Sequence, residues 1–342
     1  MGRKTVMNKL TSPELIEKYN PENRRLKNDF LIYLKSIQRS PTTIHGYNSD
    51  LDIFFVWNFE NNKDKCFVDV SKRDIVAFQN WLSENNKNGP SRIRRLKSAL
   101  SSLSNYIENI LDDEYKGFRP IIRKIEDPAN VPSREKTVLT QDQLKYLLDE
   151  LIRRGRYEVM CGVALAAFSG RRKSELVLFK TEYFSEANVI CGALYKTPEK
   201  LKTKGRGLGK YLYCYTLKKE FDPYLKVWMD YRQEIGVESE WLLLSKDNSG
   251  NWKQATPDSI TSWMNTCSSI LGVPVYAHAF RHLFSTYLSE SNVPDSVIQE
   301  IVGWESSDMV RLYVDTDLDD TIGKYFDENG IKNHTQNTLG LV

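Results

Sequence analysis

Metal-ligand and redox patterns are scarce in this chain. Its 342 residues include only four histidines and five cysteines, and Cys66, Cys161, Cys191, Cys214 and Cys267 form no Cys-x-x-Cys pair. Zinc sites and disulfide frameworks need clustered ligands at short spacing, so neither is indicated and the cysteines read as reduced. The sequence also lacks a glycine-rich nucleotide-binding loop, an internal repeat, a heptad array and any low-complexity tract. No apolar run approaches the ~20 residues of a membrane span, and Met1-Gly2-Arg3-Lys4 leads into no signal-like segment. These absences predict a soluble, cytoplasmic protein with no metal, no cofactor and no membrane partner.

What is present is enough apolar material for two cores: 40% hydrophobic residues in a chain of this length are most economically read as two domains. The net charge is only +3, yet its distribution is uneven. Residues 1–135 carry 23 Lys and Arg against 18 Asp and Glu, so the positive excess lies in the N-terminal part. Net charge of this size is a weak sign of a nucleic-acid partner; local clustering is a better one.

Two N-terminal segments show helical periodicity. Over Thr42–Trp57, Ile44, Tyr47, Leu51, Phe54 and Phe55 recur at helical spacing. Over Ser91–Ile110, Ile93, Leu96, Leu100, Leu103 and Ile107 form one face, while Arg92, Arg94, Arg95 and Lys97 bunch in the first turns. Several cations on one surface suit a duplex, which presents dense phosphate charge. The polar stretch Glu126–Glu135, with Pro128 and Pro132, reads as a linker. Beyond it, Thr140 is placed to cap a helix beginning at Gln141.

The C-terminal half holds the residues with chemical potential. The apolar run Met160–Phe168 reads as a buried helix broken by Ser169-Gly170, after which Arg171-Arg172-Lys173 opens a second helix. Val189–Tyr195 and the alternating Tyr211–Tyr215 read as a β-hairpin joined by a long basic loop, Lys196–Lys210. Further on, His278, Arg281, His282, Ser285 and Ser289 fall on one helix face and Phe280, Leu283, Phe284 and Tyr287 on the opposite one. Such a helix can dock its apolar side in a core and turn an imidazole and a guanidinium toward an anion. Gly303-Trp304 follows, and Tyr313 stands nine positions after the tryptophan.

In order and spacing, these elements resemble the tyrosine recombinases, which include the phage integrases, the Xer recombinases and Cre. That family shows His-x-x-Arg-His, then Gly-His or Gly-Trp, then tyrosine nine positions later. It also carries an upstream Thr-Gly-x-Arg-x-Ser-Glu-Leu, matched here by Ser169–Leu176. The resemblance implies a mainly helical protein with a small β-sheet, a two-domain DNA clamp. Its parts would be an extension (1–20), a helical core-binding domain (21–125), a linker (126–135), a mixed α/β catalytic domain with a C-terminal helix (136–330) and a disordered tail (331–342).

The catalytic set it implies is Arg172, Lys202, His278, Arg281, Trp304 and Tyr313. Tyr313 would attack a DNA phosphate and become a 3′-phosphotyrosine; because a phenol has a pKa near ~10, it needs a proton acceptor or electrostatic help. Arg172 and Arg281 would clasp the non-bridging oxygens with their planar forks. His278 would serve as base or as donor to the phosphate. Lys202 of the Lys202-Thr203 pair would be the general acid, with Lys204 the runner-up and Lys196 a distant third. Trp304 stands where histidine is commoner; its indole N–H can donate one hydrogen bond but cannot exchange a proton.

Thr42, Thr43, Arg92, Arg94, Arg95, Lys97, Arg171, Lys204, Arg206 and His282 are the expected DNA contacts. Arg171 fills a position that is variable and usually apolar in the family. The implied partners are double-stranded recombination sites, further copies of the chain in a tetramer, and an accessory directionality factor. An amphipathic helix expected within Asp315–Gly330 would pack in cis or pass to a neighbouring subunit. Type IB topoisomerase-like DNA relaxation and a silent DNA-binding relative are the alternatives.

Overall fold

The computed structural model describes residues 10–84, 88–129, 137–203 and 209–304, together with the backbone of two short strands at 326–327 and 330–331. The chain divides into two compact units, one built from Arg3–Lys136 and the other from Thr137–Thr203 and Tyr211–Val342.

In the N-terminal unit, the described residues of Arg3–Lys136 form helices and turns. The helices are α1 (Pro13–Lys18), α2 (Pro21–Ser36), α3 (Pro41–Asn61), α4 (Lys72–Glu84) and α5 (Pro90–Ile110). Proline opens four of the five, where its missing N–H would be unpaired anyway and its fixed φ suits the first turn. Ser40 caps α3, its hydroxyl accepting from the Thr43 N–H. The buried faces of α2 to α5 meet in one core, with Phe30, Leu51, Phe54, Phe78, Leu100 and Leu103 at its centre. Phe54 and Phe78 pack edge to face at 5.1 Å, and burying each such side chain stabilises by ~1.5–3 kcal/mol.

The second unit starts with α6 (Gln141–Arg153), whose capping box joins the Thr140 hydroxyl and backbone to Gln143. There follow α7 (Tyr157–Ser169), the single turn α8 (Lys173–Leu176), α9 (Lys218–Glu234), α10 (Pro257–Leu271), α11 (Ala277–Glu290) and α12 (Asp295–Val302). Helix α7 is apolar all round and buried nearly throughout, as suits a central helix. It packs against α6, α8, α9, α10 and α11. Between α8 and α9 lie β1 (Val189–Ile190), β2 (Leu194–Lys196), β3 (Leu201–Thr203), β4 (Lys210–Leu212) and β5 (Tyr215–Leu217).

The hairpin region is more elaborate than the sequence pattern suggests. β2 pairs antiparallel with β1 and with β5, in the register Tyr195 to Val189 and Tyr195 to Thr216. The segment read as a long loop contributes a separate two-stranded sheet, β3 with β4. Leu201 and Thr203 are buried on either side of exposed Lys202, a period-two pattern that the surrounding lysines disguise. β6 (Leu244–Lys246) and β7 (Trp252–Gln254) make a further hairpin before α10.

The tail also departs from expectation. Phe326–Asp327 and Gly330–Ile331 pair as antiparallel strands β8 and β9, where the sequence reading has a short amphipathic helix within Asp315–Gly330 that includes Phe326, and disorder from 331. Asn329-Gly330 is a strong turn dipeptide and interrupts the helical pattern at that point. The remainder of the expected helix, like Tyr313, lies outside the described residues.

Helix α7 ends at Gly170, which adopts φ 60° as its left-handed cap. A Cβ on Gly170 would stand 2.4 Å from Phe284 Cδ1 on α11, so this glycine serves both backbone geometry and close packing. Gly170→Ala is expected to lower stability by about 1–3 kcal/mol through strain and overpacking, read as a lower chemical-denaturation midpoint; an unchanged midpoint would contradict this.

Candidate active site

The turn that ends α7 puts two motifs of the sequence side by side. Arg281, on α11, is fully buried and its Nη1 donates to the Gly170 carbonyl oxygen at 2.8 Å. That carbonyl lies at the C-terminal end of α7, where helix carbonyls lack partners and the dipole is negative. A guanidinium placed there satisfies the carbonyl and has its own charge compensated. The Ser285 hydroxyl on the same face donates back to Arg281 O at 2.5 Å.

Two residues past Gly170, Arg172 has extended backbone at the N-terminus of α8. Glu175 reaches back to it: its fully buried carboxylate accepts from the Arg172 N–H at 3.1 Å and from Nη1 at 3.0 Å. The Arg172 guanidinium is thereby oriented, with its side chain about a third exposed. Glu175 is a site residue whose role sequence reading missed. The available signal was its position three residues after Arg172, the spacing at which a first-turn glutamate bonds back to a helix start.

His278 stands half-buried one turn before Arg281 on α11, its ring edge-to-face with His282 at 5.4 Å between centroids. Burial, the neighbouring His282 ring and the positive charges of Arg281 and Arg172 push its pKa down to about 4. Arg281 and Arg172 both contribute positive charge at His278. At neutral pH the imidazole is therefore uncharged.

Trp304 packs against the Arg281 guanidinium. α12 ends at Gly303, left-handed at φ 75°, and the N–H groups of Gly303 and Trp304 both donate to Gln299 O. The Trp304 ring is buried in a small cluster with Phe284, Leu288, Ile298 and Val302. The Arg281 guanidinium carbon sits 5.4 Å from the centroid of that ring, a cation–π arrangement that fixes both groups. Lys202 projects from the exposed position of β3, and β3 lies against α8. Lys196, by contrast, is stacked on Tyr213 at 4.3 Å. Lys204, Arg206 and Tyr313 lie outside the described residues.

Three expected DNA contacts have other roles here. Arg171 is 1% exposed and donates through Nη2 to the Ile301 carbonyl. His282 is buried against His278. The expectation that the polar face of this helix is open does not hold, because α7, α10 and α12 pack around α11 and enclose much of its polar face. Lys97 is also buried, its ammonium donating to Ile125 O at 2.7 Å and Glu126 O at 3.1 Å and pairing with Asp127 at 2.8 Å. It follows Ile93 by four residues and so sits on the core-facing stripe of α5.

The other basic residues of α5 stay at the surface in part. Asp50, buried on α3, pairs with both Arg92 (2.6 Å) and Arg95 (2.9 Å), while Arg94 donates two hydrogen bonds to Pro128 O. Thr42 and Thr43 are exposed at the start of α3. Among the described residues no group of three His, Cys, Asp or Glu side chains is arranged to hold a metal, and no helix is long and apolar enough to cross a membrane.

Comparison with known proteins accords with this geometry. Residues 137–319 match the phage integrase family and residues 26–117 match the phage integrase N-terminal SAM-like domain. The chain is 32% identical over 282 residues to the SPbeta prophage-derived recombinase-like protein YomM of Bacillus subtilis strain 168, covering 80% of each protein. Among solved structures it resembles XerH site-specific recombinase bound to palindromic difH substrate in a post-cleavage complex. That likeness has TM-score 0.61 at 18% identity, over 83% of this chain and 79% of XerH. A lambda integrase tetramer bound to a Holliday junction is similar too, with TM-score 0.61 and 15% identity over 85% and 77% of the two chains. The chain belongs to the phage integrase family. Its activity is that of this family, site-specific DNA recombination by a tyrosine-type strand transferase.

The depressed pKa of His278 makes a signed expectation. Between pH ~6.5, its ordinary value, and pH about 4 the unfolded chain binds a proton that the folded chain refuses. Stability from this group is therefore full above that window and is lost as pH falls through it. His278→Gln is expected to flatten the melting temperature against pH over that interval, and an unaltered profile would remove the imidazole from the acid limb.

Proposed function

We propose that Arg172, Arg281, His278, Lys202, Trp304 and Tyr313 form the strand-cleavage site, and that Tyr313 joins covalently to a 3′ phosphate of DNA. The observation that carries this reading is the Arg281 to Gly170 hydrogen bond, which holds the two arginine motifs together beside His278. Cleavage of a phosphodiester needs charge neutralisation, a nucleophile and a proton for the departing 5′ oxygen. The two guanidinium groups supply the first, and loss of one such donor typically costs on the order of 3 kcal/mol of transition-state stabilisation.

His278, uncharged before DNA binds, takes the phenolic proton or donates to the phosphate once it is charged. Lys202 protonates the leaving hydroxyl. Trp304 donates its indole N–H to a phosphate oxygen. Attack by Tyr313 exchanges one phosphate ester for another, so a second 5′ hydroxyl can reverse the step on a new strand without ATP. On the N-terminal unit, Thr42, Thr43, Arg92, Arg94 and Arg95 contact the duplex backbone, and Lys204 and Arg206 add charge from the basic segment that follows Thr203 in the sequence. The working form is a tetramer on DNA, as lambda integrase is a tetramer on a Holliday junction, and an accessory directionality factor is the further partner this reading allows.

A nicked suicide duplex, which loses its 5′ fragment after cleavage, tests the assignment by trapping the adduct. Tyr313→Phe is expected to abolish the adduct with DNA affinity retained; an adduct that persists would remove Tyr313 from its role. On the same duplex a bridging 5′-phosphorothiolate, whose leaving group needs no acid, should rescue Lys202→Ala and leave Lys204→Ala unaffected.

A further inference from the structure

The proposal resting on the cleavage site above concerns Arg171, whose position in the motif does not require a charge. We infer that Arg171 is a positioning residue that clamps the C-terminal end of α12 and thereby sets the place of Trp304 over Arg281. It arises from three observations.

First, Arg171 is among the largest fully buried side chains of the molecule, and its Nη2 donates to the carbonyl of Ile301. That carbonyl belongs to the last turn of α12, which cannot satisfy its own carbonyls and carries the negative end of the helix dipole. Second, Nη1 lies 3.6 Å from where a Cβ on Gly303 would stand, so the guanidinium touches the turn that delivers Trp304. Leu212, on β4, approaches the same point still more closely, at 2.6 Å. Both side chains therefore crowd Gly303, and Trp304 follows with its N–H fixed to Gln299 O.

Third, Nε and Nη1 of Arg171 are buried without a hydrogen-bond partner among the described residues. Unpaired buried donors cost stability, and an apolar side chain of similar volume would avoid that cost. A guanidinium kept here at such a cost points to something other than stability. The geometry supplies it: Arg171 is covalently next to Arg172, so the backbone that presents one phosphate-gripping arginine also anchors the helix end that presents Trp304. Arg171 and Arg281 each occupy a helix C-terminus, α12 and α7 respectively, and Trp304 follows the end of α12 and packs on Arg281.

Arg171→Met removes the clamp and keeps the volume, and Arg171→Lys keeps one donor and the charge. On the suicide duplex Arg171→Met is expected to form adduct about tenfold or more slowly, the scale on which a misplaced group acts, with DNA affinity and its salt dependence unchanged and melting temperature not lowered. Arg171→Lys should fall between Arg171→Met and wild type. A merely structural role would not move one tryptophan alone, so the second readout is 19F NMR of 5-fluorotryptophan-labelled protein. The resonance lost in Trp304→Phe should shift or broaden in Arg171→Met while the other six tryptophans hold. Should Arg171→Met fail to fold, Arg171→Lys decides by the same two readouts. Wild-type cleavage rate and Trp304 resonance would overturn the inference, as would weaker binding with a reduced salt slope, which would make Arg171 a phosphate contact. Absence of any adduct with the wild-type chain would instead sink the cleavage-site reading and is thereby distinguished.

Discussion

The catalytic unit is organised by a guanidinium seated at a helix end. Arg281 spends one of its donors on the Gly170 carbonyl, and that contact does what no loop packing could do as cheaply. It locks the end of the central helix α7 to α11, and so fixes the spacing between Arg172, two residues beyond the helix end, and His278, one turn before Arg281. A lysine could supply charge but not the same geometry, since a planar fork can hold a carbonyl with one edge and offer the others elsewhere. Glu175 and the Trp304 ring then constrain the two arginines from outside.

Electrostatics follow from this packing. Burial first, then the His282 ring and the charges of Arg281 and Arg172, lower the His278 pKa and keep the imidazole neutral. Burial likewise pushes the Cys214 thiol up to about 11 despite Arg171 and Arg281 nearby, so this cysteine beside the site is an inert packing group. In the N-terminal unit Asp50 works the other way, gathering Arg92 and Arg95 into one partly exposed pair. A buried acid thus sets where surface charge is displayed.

Much of this was legible before any coordinates. The break at Gly170, the capped start of α6 and the apolar stripes of α3 and α5 follow from periodicity and capping residues, and the fold shows them within a few residues. The site motifs were legible through their resemblance to the tyrosine recombinases, and periodicity alone showed only that His278, Arg281 and His282 share one helix face. What escaped was the direction in which polar side chains point. Lys97, Arg171 and His282 read as surface cations because charge usually means exposure, whereas each is buried, two of them against carbonyls that only the folded chain brings within reach. The β3–β4 pair was hidden by lysines around a three-residue alternation, and β8–β9 by an apolar spacing equally compatible with a helix.

If the two arginines grip one phosphate as a unit, their contributions to cleavage cannot be independent. Single-turnover adduct formation by Arg172→Ala, Arg281→Ala and the double variant, at saturating protein, measures this most directly. The account requires the double variant to be scarcely slower than the worse single variant, as for groups that act together; losses that multiply would show two separate sites of action and contradict it.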